Sequence, residues 1–343
     1  MTRLKGMKLC AGVFSTLLLL GTGTGANAET LEKIRIIGTL PLKHHATDAL
    51  KQFKKNVEQA TQKKLKVDIF PASQLYNDVD AVKVLPTGAV NMGVVLLDWW
   101  TGLVPSAGVL YMPTYYKNLE HYYAVRDAVS PIIGKDLEEQ GNVKLLGWFD
   151  YDSEALISKK QILKMGDFEG TKLRGYGQYA ATFLQAVGSS PVVMSSTEAY
   201  DAMAKGTIDG SMSGPTSHLA RKFYEVGKYL IDQPSFIQPA LSYAIVINLD
   251  SWKKLTPDMQ KTLQAASKEM EVGSRAVFLK DSAKAIDTLK EKGTVIVKQL
   301  DPAEFDRIKK AVWPALEKKY IAQVGQAKAQ PILDNVNALR AQF

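Results

Sequence analysis

The sequence predicts an α/β protein of two domains, and three observations carry that prediction. Setting aside a leader of 28 residues leaves 315 of the 343, more than a single hydrophobic core usually serves. Short β-rich runs alternate with helical periodicities in two successive blocks. From Thr256 to about Lys292 the residues are helix formers almost throughout, about three times the length of an ordinary helix of roughly 11–12 residues. A helix of that length is expected to run along both domains as a strut.

The elements follow in order. Ile34-Arg35-Ile36-Ile37 is a short β-rich run, and Leu50, Phe53, Val57 and Ala60 then recur at helical spacing. Leu65 to Phe70 alternates with period two and reads as a strand; 78–86 reads as helix and Val90 to Leu97 as a buried strand. A helix over 119–139 ends at Gly141 and leads to a strand from Val143 to Trp148. The second block opens with a strand around Leu156-Ile157, then Leu173-Arg174. A helix from about Ala180 to Val187, a strand Pro191–Met194, a helix Thr197–Lys205 and a strand Thr207–Met212 follow. Tyr243–Asn248 is expected to return the chain to the first block. Thr256 can cap the long helix, Pro257 suits its first position, and Asp258 favours the positive end of its dipole.

The leader is an export signal. Arg3, Lys5 and Lys8 precede an apolar run from Val13 to Leu20, and Ala26-Asn27-Ala28 is a small-x-small cleavage site. The apolar run is shorter than the roughly 20 residues that span a bilayer. Cys10 precedes that run, so it is not placed as a lipoprotein cysteine, and cleavage after Ala28 removes the sole cysteine of the chain. The mature protein then has neither disulfide nor thiol chemistry and rests on its apolar core, which suits the bacterial periplasm. The net charge of +8 falls to +5 without the leader. Its basic residues are interspersed with acids, so the surface reads as mixed rather than as a nucleic-acid patch.

Enzyme signatures do not assemble. Gly210-Ser211-Met212-Ser213-Gly214 has Met212, not serine, where a nucleophile elbow needs its nucleophile. Gly21, Gly23 and Gly25 fall in the leader, and there is no phosphate-binding loop. His44, His45, His121 and His218 lack zinc-enzyme spacing; His44 and His45, as neighbours, point in different directions and are expected at the surface or at a pocket rim. No catalytic residue, metal or cofactor is assigned. Arg174 is the first candidate for binding. It alternates with Leu173 on a short strand, so a core-facing Leu173 sends it to the opposite face, and its planar fork suits a carboxylate. On residue type alone such an arginine is more often a surface ion-pair partner.

A set of strings then adds to that reading. EAYDAMAKGTIDG over 198–210 is followed by KFYEVGKYL over 222–230, against a family pattern of about E-x-Y-x-A-L-x-x-G-x-x-D-G and K-x-Y-E-V-x-K-Y. FPASQL at 70–75, TGAVNM at 87–92, LEHYYAV at 119–125, GTKLR at 170–174 and VINLDSW at 246–252 stand in the same order. In these the chain resembles the DctP family, the solute-binding proteins of tripartite ATP-independent periplasmic (TRAP) transporters. The resemblance covers nearly all of the mature chain. It implies a two-lobed periplasmic-binding-protein fold with hinge segments near 150 and 240 and a long helix bridging both lobes. Lobe 1 is expected from 29–151 plus 241–280, and lobe 2 from 152–240 plus 281–343. Solute would be held between the lobes with Arg174 on its carboxylate, and the partner would be an integral membrane TRAP permease. A monomer is expected, with no nucleic-acid partner.

The sequence departs from the family pattern around that arginine. Glu154 falls where many relatives have a second pocket arginine, Ser213 where they have a ligand-binding asparagine, and Asp80 at a first-lobe polar position often held by glutamate. One arginine is therefore expected to face several carboxylates, namely Asp80, Asp150, Asp152 and Glu154. A simple dicarboxylate is disfavoured there, and a solute with a carboxylate plus an amine or several hydroxyls fits. Trp99, Trp100, Tyr111, Tyr115 and Tyr116 lie in a stretch that borders the family's pocket, where they either stack on the solute or pack the core. Tyr176 and Tyr179, close to Arg174, are open in the same way. Two other readings stay open: a periplasmic enzyme on the same scaffold, and a sensor subunit read by a receptor.

Overall fold

The computed structural model describes residues 30–232, 237–297 and 300–343. The leader, its cleavage site and Cys10 lie outside the described residues. The strands in chain order are β1 (Lys33–Gly38), β2 (Lys66–Phe70), β3 (Met92–Val95), β4 (Val143–Ser158) and β5 (Lys172–Gly175). They continue as β6 (Ser190–Val193), β7 (Gly210–Ser213), β8 (Tyr229–Ile231), β9 (Gln238–Asn248) and β10 (Val295–Val297).

In the first lobe β1 lies between β2 and β3, parallel to both, and β3 pairs antiparallel with β9. β9 in turn pairs antiparallel with β4 from Val143↔Asn248 to Glu154↔Gln238. The second lobe grows from the far end of β4. There Ala155–Ser158 pairs with β7 on one side, and Leu156–Ser158 with β8 on the other. β5 lies between β7 and β6, and β8 carries β10. β4 thus belongs to both lobes. The sequence separated a strand at 143–148 from one at 156–157; the structure makes them one strand of 16 residues. Its register against β9 shifts between Leu145 and Gly147, between Asp150 and Asp152, and between Asp152 and Glu154. Such bulges bend a strand and re-aim its side chains, which is how one strand serves two sheets.

Helices cover the sheets: α1 (His45–Ala60), α2 (Asp78–Val84), α3 (Leu119–Gly141), α4 (Gln178–Ala186) and α5 (Ala199–Ala204). Then come α6 (Pro215–Ala220), α7 (Leu249–Lys253), α8 (Pro257–Glu291), α9 (Pro302–Val324) and α10 (Gln326–Arg340). α8 has 35 residues, about 50 Å at roughly 1.5 Å per residue. Thr256 caps it by accepting from the Met259 N–H. Met259, Leu263, Ala266, Met270, Phe278, Ala285 and Leu289 form its buried stripe. The small residues Ser267, Ser274 and Ser282 in the same stripe let it lie close along β4, and the Asp150 N–H donates to Ser274 Oγ at 3.0 Å. It also packs against α1 in the first lobe and α6 in the second.

The far C-terminus departs from the expected boundary. Residues 281–343 were placed in lobe 2, and β10 and part of α9 do pack there. α10 instead lies on α3 of the first lobe, where His121 Nε2 bonds the Val336 carbonyl at 2.9 Å and Lys328 pairs with Asp136 at 2.6 Å. The reason is its buried stripe, Ala329, Ile332, Leu333 and Val336, which needs an apolar surface that the first lobe supplies. Among the described residues no helix is long and apolar enough to cross a membrane.

Candidate functional site

β5 is flanked by parallel neighbours, and its residues after Lys172 are buried on both faces. Leu173 enters the apolar core, and Arg174, next along the strand, points the other way and is only 2 % exposed. Its Nε donates to the Met194 carbonyl at 3.1 Å and its Nη1 to the Met212 carbonyl at 2.8 Å. Two backbone acceptors therefore fix the guanidinium plane. Among the described residues Arg174 forms no ion pair. Burial lowers its pKa, and the carboxylates of Glu154 and Asp78 oppose that.

The arginine lines a narrow cavity between the lobes with ≈ 20 Å³ of free space, about what one ordered water needs. The first lobe supplies Leu40, Asp78, Leu96 and Trp99, and β9 supplies Leu241 and Tyr243. The second lobe adds Arg174, Tyr176, Ser196, Ser213 and Ser217, and Tyr151 and Glu154 come from β4 itself. Several polar atoms here are buried without a hydrogen-bond partner: both Glu154 oxygens, the Tyr176 hydroxyl and Trp99 Nε1. Buried polar groups are nearly always paired, so orphans converging on one cavity mark groups made to meet a guest. Burial pushes the Glu154 carboxyl well above its ordinary value, Arg174 opposes, and Asp152 and Asp98 add to the rise. Burial raises Asp78 too, against a 2.9 Å hydrogen bond from Thr39 Oγ1.

Of the residues singled out from sequence, Arg174, Glu154, Ser213, Trp99 and Tyr176 meet in this cavity, and three do not. Asp80 is replaced by Asp78. Helix α2 starts at Asp78 under an Asn77 cap, and its first residue, not its third, faces inward. Asp150 lies away from the cavity because of the bulge that follows it. It accepts from Arg126 Nη1 at 2.7 Å, Ser242 Oγ at 2.6 Å, Tyr123 at 3.0 Å and Arg275 Nε at 3.3 Å, within the first lobe. Trp100 is fully buried against Gly141 at the end of α3, since Trp99 and Trp100 point apart on a 3₁₀ turn over 97–100.

The other tyrosines pack the interior. Tyr111 donates to the Ser242 carbonyl, Tyr115 to Glu317, Tyr116 to the Val109 carbonyl and Tyr179 to Gln323. Asp152 caps α6: it accepts from the Thr216 N–H at 2.8 Å and the Thr216 hydroxyl at 2.6 Å, and burial pushes its carboxyl up to about 7. His44 is not at the surface. Its Nδ1 caps α1 by accepting from the Ala46 N–H, and its Nε2 reaches Thr216 at 2.9 Å, from one lobe to the other. Arg221 makes a second such link, donating from Nη2 to the Thr39 carbonyl at 3.0 Å and to Ser196 Oγ at 3.2 Å.

Asp78, Tyr151, Tyr243 and Arg221 were not read as site residues from sequence. For Asp78 the Asn77 cap marks the start of the helix, while the loop after β1, through Thr39, decides which position faces inward. For the rest only the lobe arrangement brings them in. A wider groove, ≈ 340 Å³, opens between α1 and α8 and holds no arginine among its lining residues. Among the described residues no cluster of His, Cys, Asp and Glu is placed to hold a metal ion.

Comparison with known proteins places this geometry. The profile of "Bacterial extracellular solute-binding protein, family 7", DctP, matches residues 38–323. The C4-dicarboxylate-binding periplasmic protein DctP of Rhodobacter capsulatus is 27 % identical over 258 residues, covering 74 % of this chain and 76 % of that one. A TRAP periplasmic solute binding protein from Desulfovibrio salexigens, solved with bound orotic acid, superposes with a TM-score of 0.84 at 21 % identity, over 91 % of this chain and 99 % of that one. DctP7, a Bordetella pertussis extracytoplasmic solute receptor binding pyroglutamic acid, superposes with a TM-score of 0.82 at 19 % identity, over 89 % and 99 %. At these identities the two structures speak for the fold. A profile matched over most of the chain, on a two-lobed fold with a cavity between the lobes, leads to one assignment: the chain belongs to the DctP family of periplasmic solute-binding proteins of TRAP transporters.

Proposed function

We propose that the protein captures a small carboxylate-bearing solute between its lobes and delivers it, chemically unchanged, to the membrane permease subunits of a TRAP transporter. The observation that carries this reading is Arg174: buried, held by two backbone carbonyls, and without a carboxylate partner of its own on the cavity between the lobes. A buried cation with an open fork is stabilised by an anion that enters with two parallel hydrogen bonds. The relatives named above bind acids, which agrees with this. Asp78, Ser213, Trp99 and Tyr176 complete the contacts, and the lobes hinge where β4 and β9 cross, near 151 and 241. Export by the leader belongs to the same proposal: the protein recovered from the periplasm should begin at Glu29 and behave as a monomer.

The test is a thermal-shift and calorimetric screen with small carboxylates, repeated on Arg174→Ala. Removing the anchor of a buried charged pair costs about 2–5 kcal/mol, roughly 30-fold or more in affinity. Arg174→Lys keeps the charge without the fork and should recover only part. Equal affinity in wild type and Arg174→Ala would overturn the reading. A second reading, catalysis, is favoured by one observation: a carboxyl of raised pKa, Glu154, beside an arginine is what a general acid needs. Recovery of the bound solute unaltered after prolonged incubation excludes it.

A further inference from the structure

The acid that the carboxylate anchor leaves unused is Glu154. Both its oxygens are buried and unpartnered, while Arg174 spends its Nε and Nη1 on backbone carbonyls rather than on this carboxylate. Four aromatic rings share the cavity with it, those of Trp99, Tyr151, Tyr176 and Tyr243. The ionisable groups that bear on Glu154 are Arg174, Asp152 and Asp98, and it in turn raises Tyr151, Tyr176 and Tyr243. Apart from the arginine the surroundings are acidic or electron-rich. A cation placed there gains an ion pair, the field of neighbouring carboxyls and the ring quadrupoles together. A second anion would meet an uncompensated carboxyl in a desolvated place.

We propose that the solute is a zwitterion, its carboxylate on Arg174 and a cationic nitrogen against Glu154 among the aromatic rings. This rests on the reading of Arg174 as carboxylate anchor and narrows it: amino acids and betaine-like compounds are selected over dicarboxylates and uronic acids. Burial pushes the Glu154 carboxyl upward, and a cation against it works the other way, favouring the carboxylate.

The experiment is calorimetric titration of the exported protein with three groups of probes: zwitterions (the α-amino acids, including proline, and glycine betaine), uronates (D-glucuronate and D-galacturonate) and dicarboxylates (succinate and malate). At least one zwitterion should bind, and more tightly than any uronate or dicarboxylate. Glu154→Gln, which keeps the size and removes the charge, should weaken that zwitterion roughly 30-fold or more. Its melting temperature without probe reports whether it folds, and if it does not, the ranking of the three probe groups on the wild type decides. Binding confined to uronates or dicarboxylates, no zwitterion bound, or a folded Glu154→Gln of unchanged affinity each overturns this inference and leaves the anchor standing. Unchanged affinity in Arg174→Ala removes the anchor, and this inference with it.

Discussion

Replacing Asp150 by alanine should destabilise the fold by about 3–5 kcal/mol while leaving solute affinity nearly unchanged, because a buried ion is left without its counter-charge. The size follows from the neighbours. Arg126 is fully buried, and its shortest contact is the 2.7 Å bond to Asp150. Its remaining carboxylates, Glu271 and Asp127, both stand at 3.5 Å, and Asp127 is 65 % exposed. With Asp150 gone, Arg126 keeps these two weaker carboxylates and the neutral Ser242 hydroxyl at 3.1 Å, and cannot reach water. Arg275, 39 % exposed, can swing outward, so Arg275→Ala should cost under about 1 kcal/mol. Arg126→Met should cost less than Asp150→Ala, since Asp150 still accepts from Tyr123, Ser242 and Arg275. The double variant Arg126→Met/Asp150→Leu should recover much of the loss. Urea unfolding followed by circular dichroism measures all four, and titration measures binding. If Asp150→Ala costs no more than Arg275→Ala, the pair does not hold the lobe. If it keeps full stability but stops binding solute, Asp150 acts at the site.

Three further outcomes follow from the geometry. In Gly214→Ala the new Cβ would stand 2.4 Å from the Asp152 side chain; overpacking there should cost about 1–3 kcal/mol, and a variant melting like wild type would show that α6 gives way freely. Asp98, buried under the first N–H groups of α4, has its carboxyl pushed up to about 7 by burial. The unfolded value is near 3.9, so its contribution is full below about pH 4 and is lost as pH rises through about 7, on the order of a few kcal/mol. Asp98→Asn should thus gain on wild type at pH 8 and lose that advantage at pH 5; parallel stability curves would contradict this. Arg221→Ala removes a charge-assisted bond between the lobes, worth about 1.5–3 kcal/mol. It should weaken solute binding roughly tenfold or more and enlarge the radius of gyration in solution scattering; neither change would mean that the link does not favour closure.

The strongly patterned parts of the fold were legible. Thr256-Pro257-Asp258 marks the start of α8 to the residue, and its apolar stripe extends to its end. The alternation of Leu173 with Arg174 was enough to send the arginine away from the core. The acids of β4 were not separable. Asp150, Asp152 and Glu154 recur every second residue, which on a regular strand puts all three on one face. Register shifts at 150/152 and 152/154 send them instead to Arg126, to α6 and to the cavity. A bulge is set by the partner strand and leaves no local pattern, so one acid of three could be named for the site only once β9 was in place. The two-residue error at Asp80 is of another kind: the helix was expected at 78, but which turn position faces inward depends on the β1 loop packed over it.

The chain passes between the lobes by β4, by β9 and along α8, and returns by α9 before α10 settles on the first lobe. Neither lobe is therefore a contiguous stretch of sequence, and no single cut frees one from the other. A truncation at either crossing would strip a strand from the centre of the remaining sheet and expose its unpaired backbone to aggregation. Reporter domains for following closure are better inserted at peripheral turns, such as that after Gly293, than at a boundary near 150.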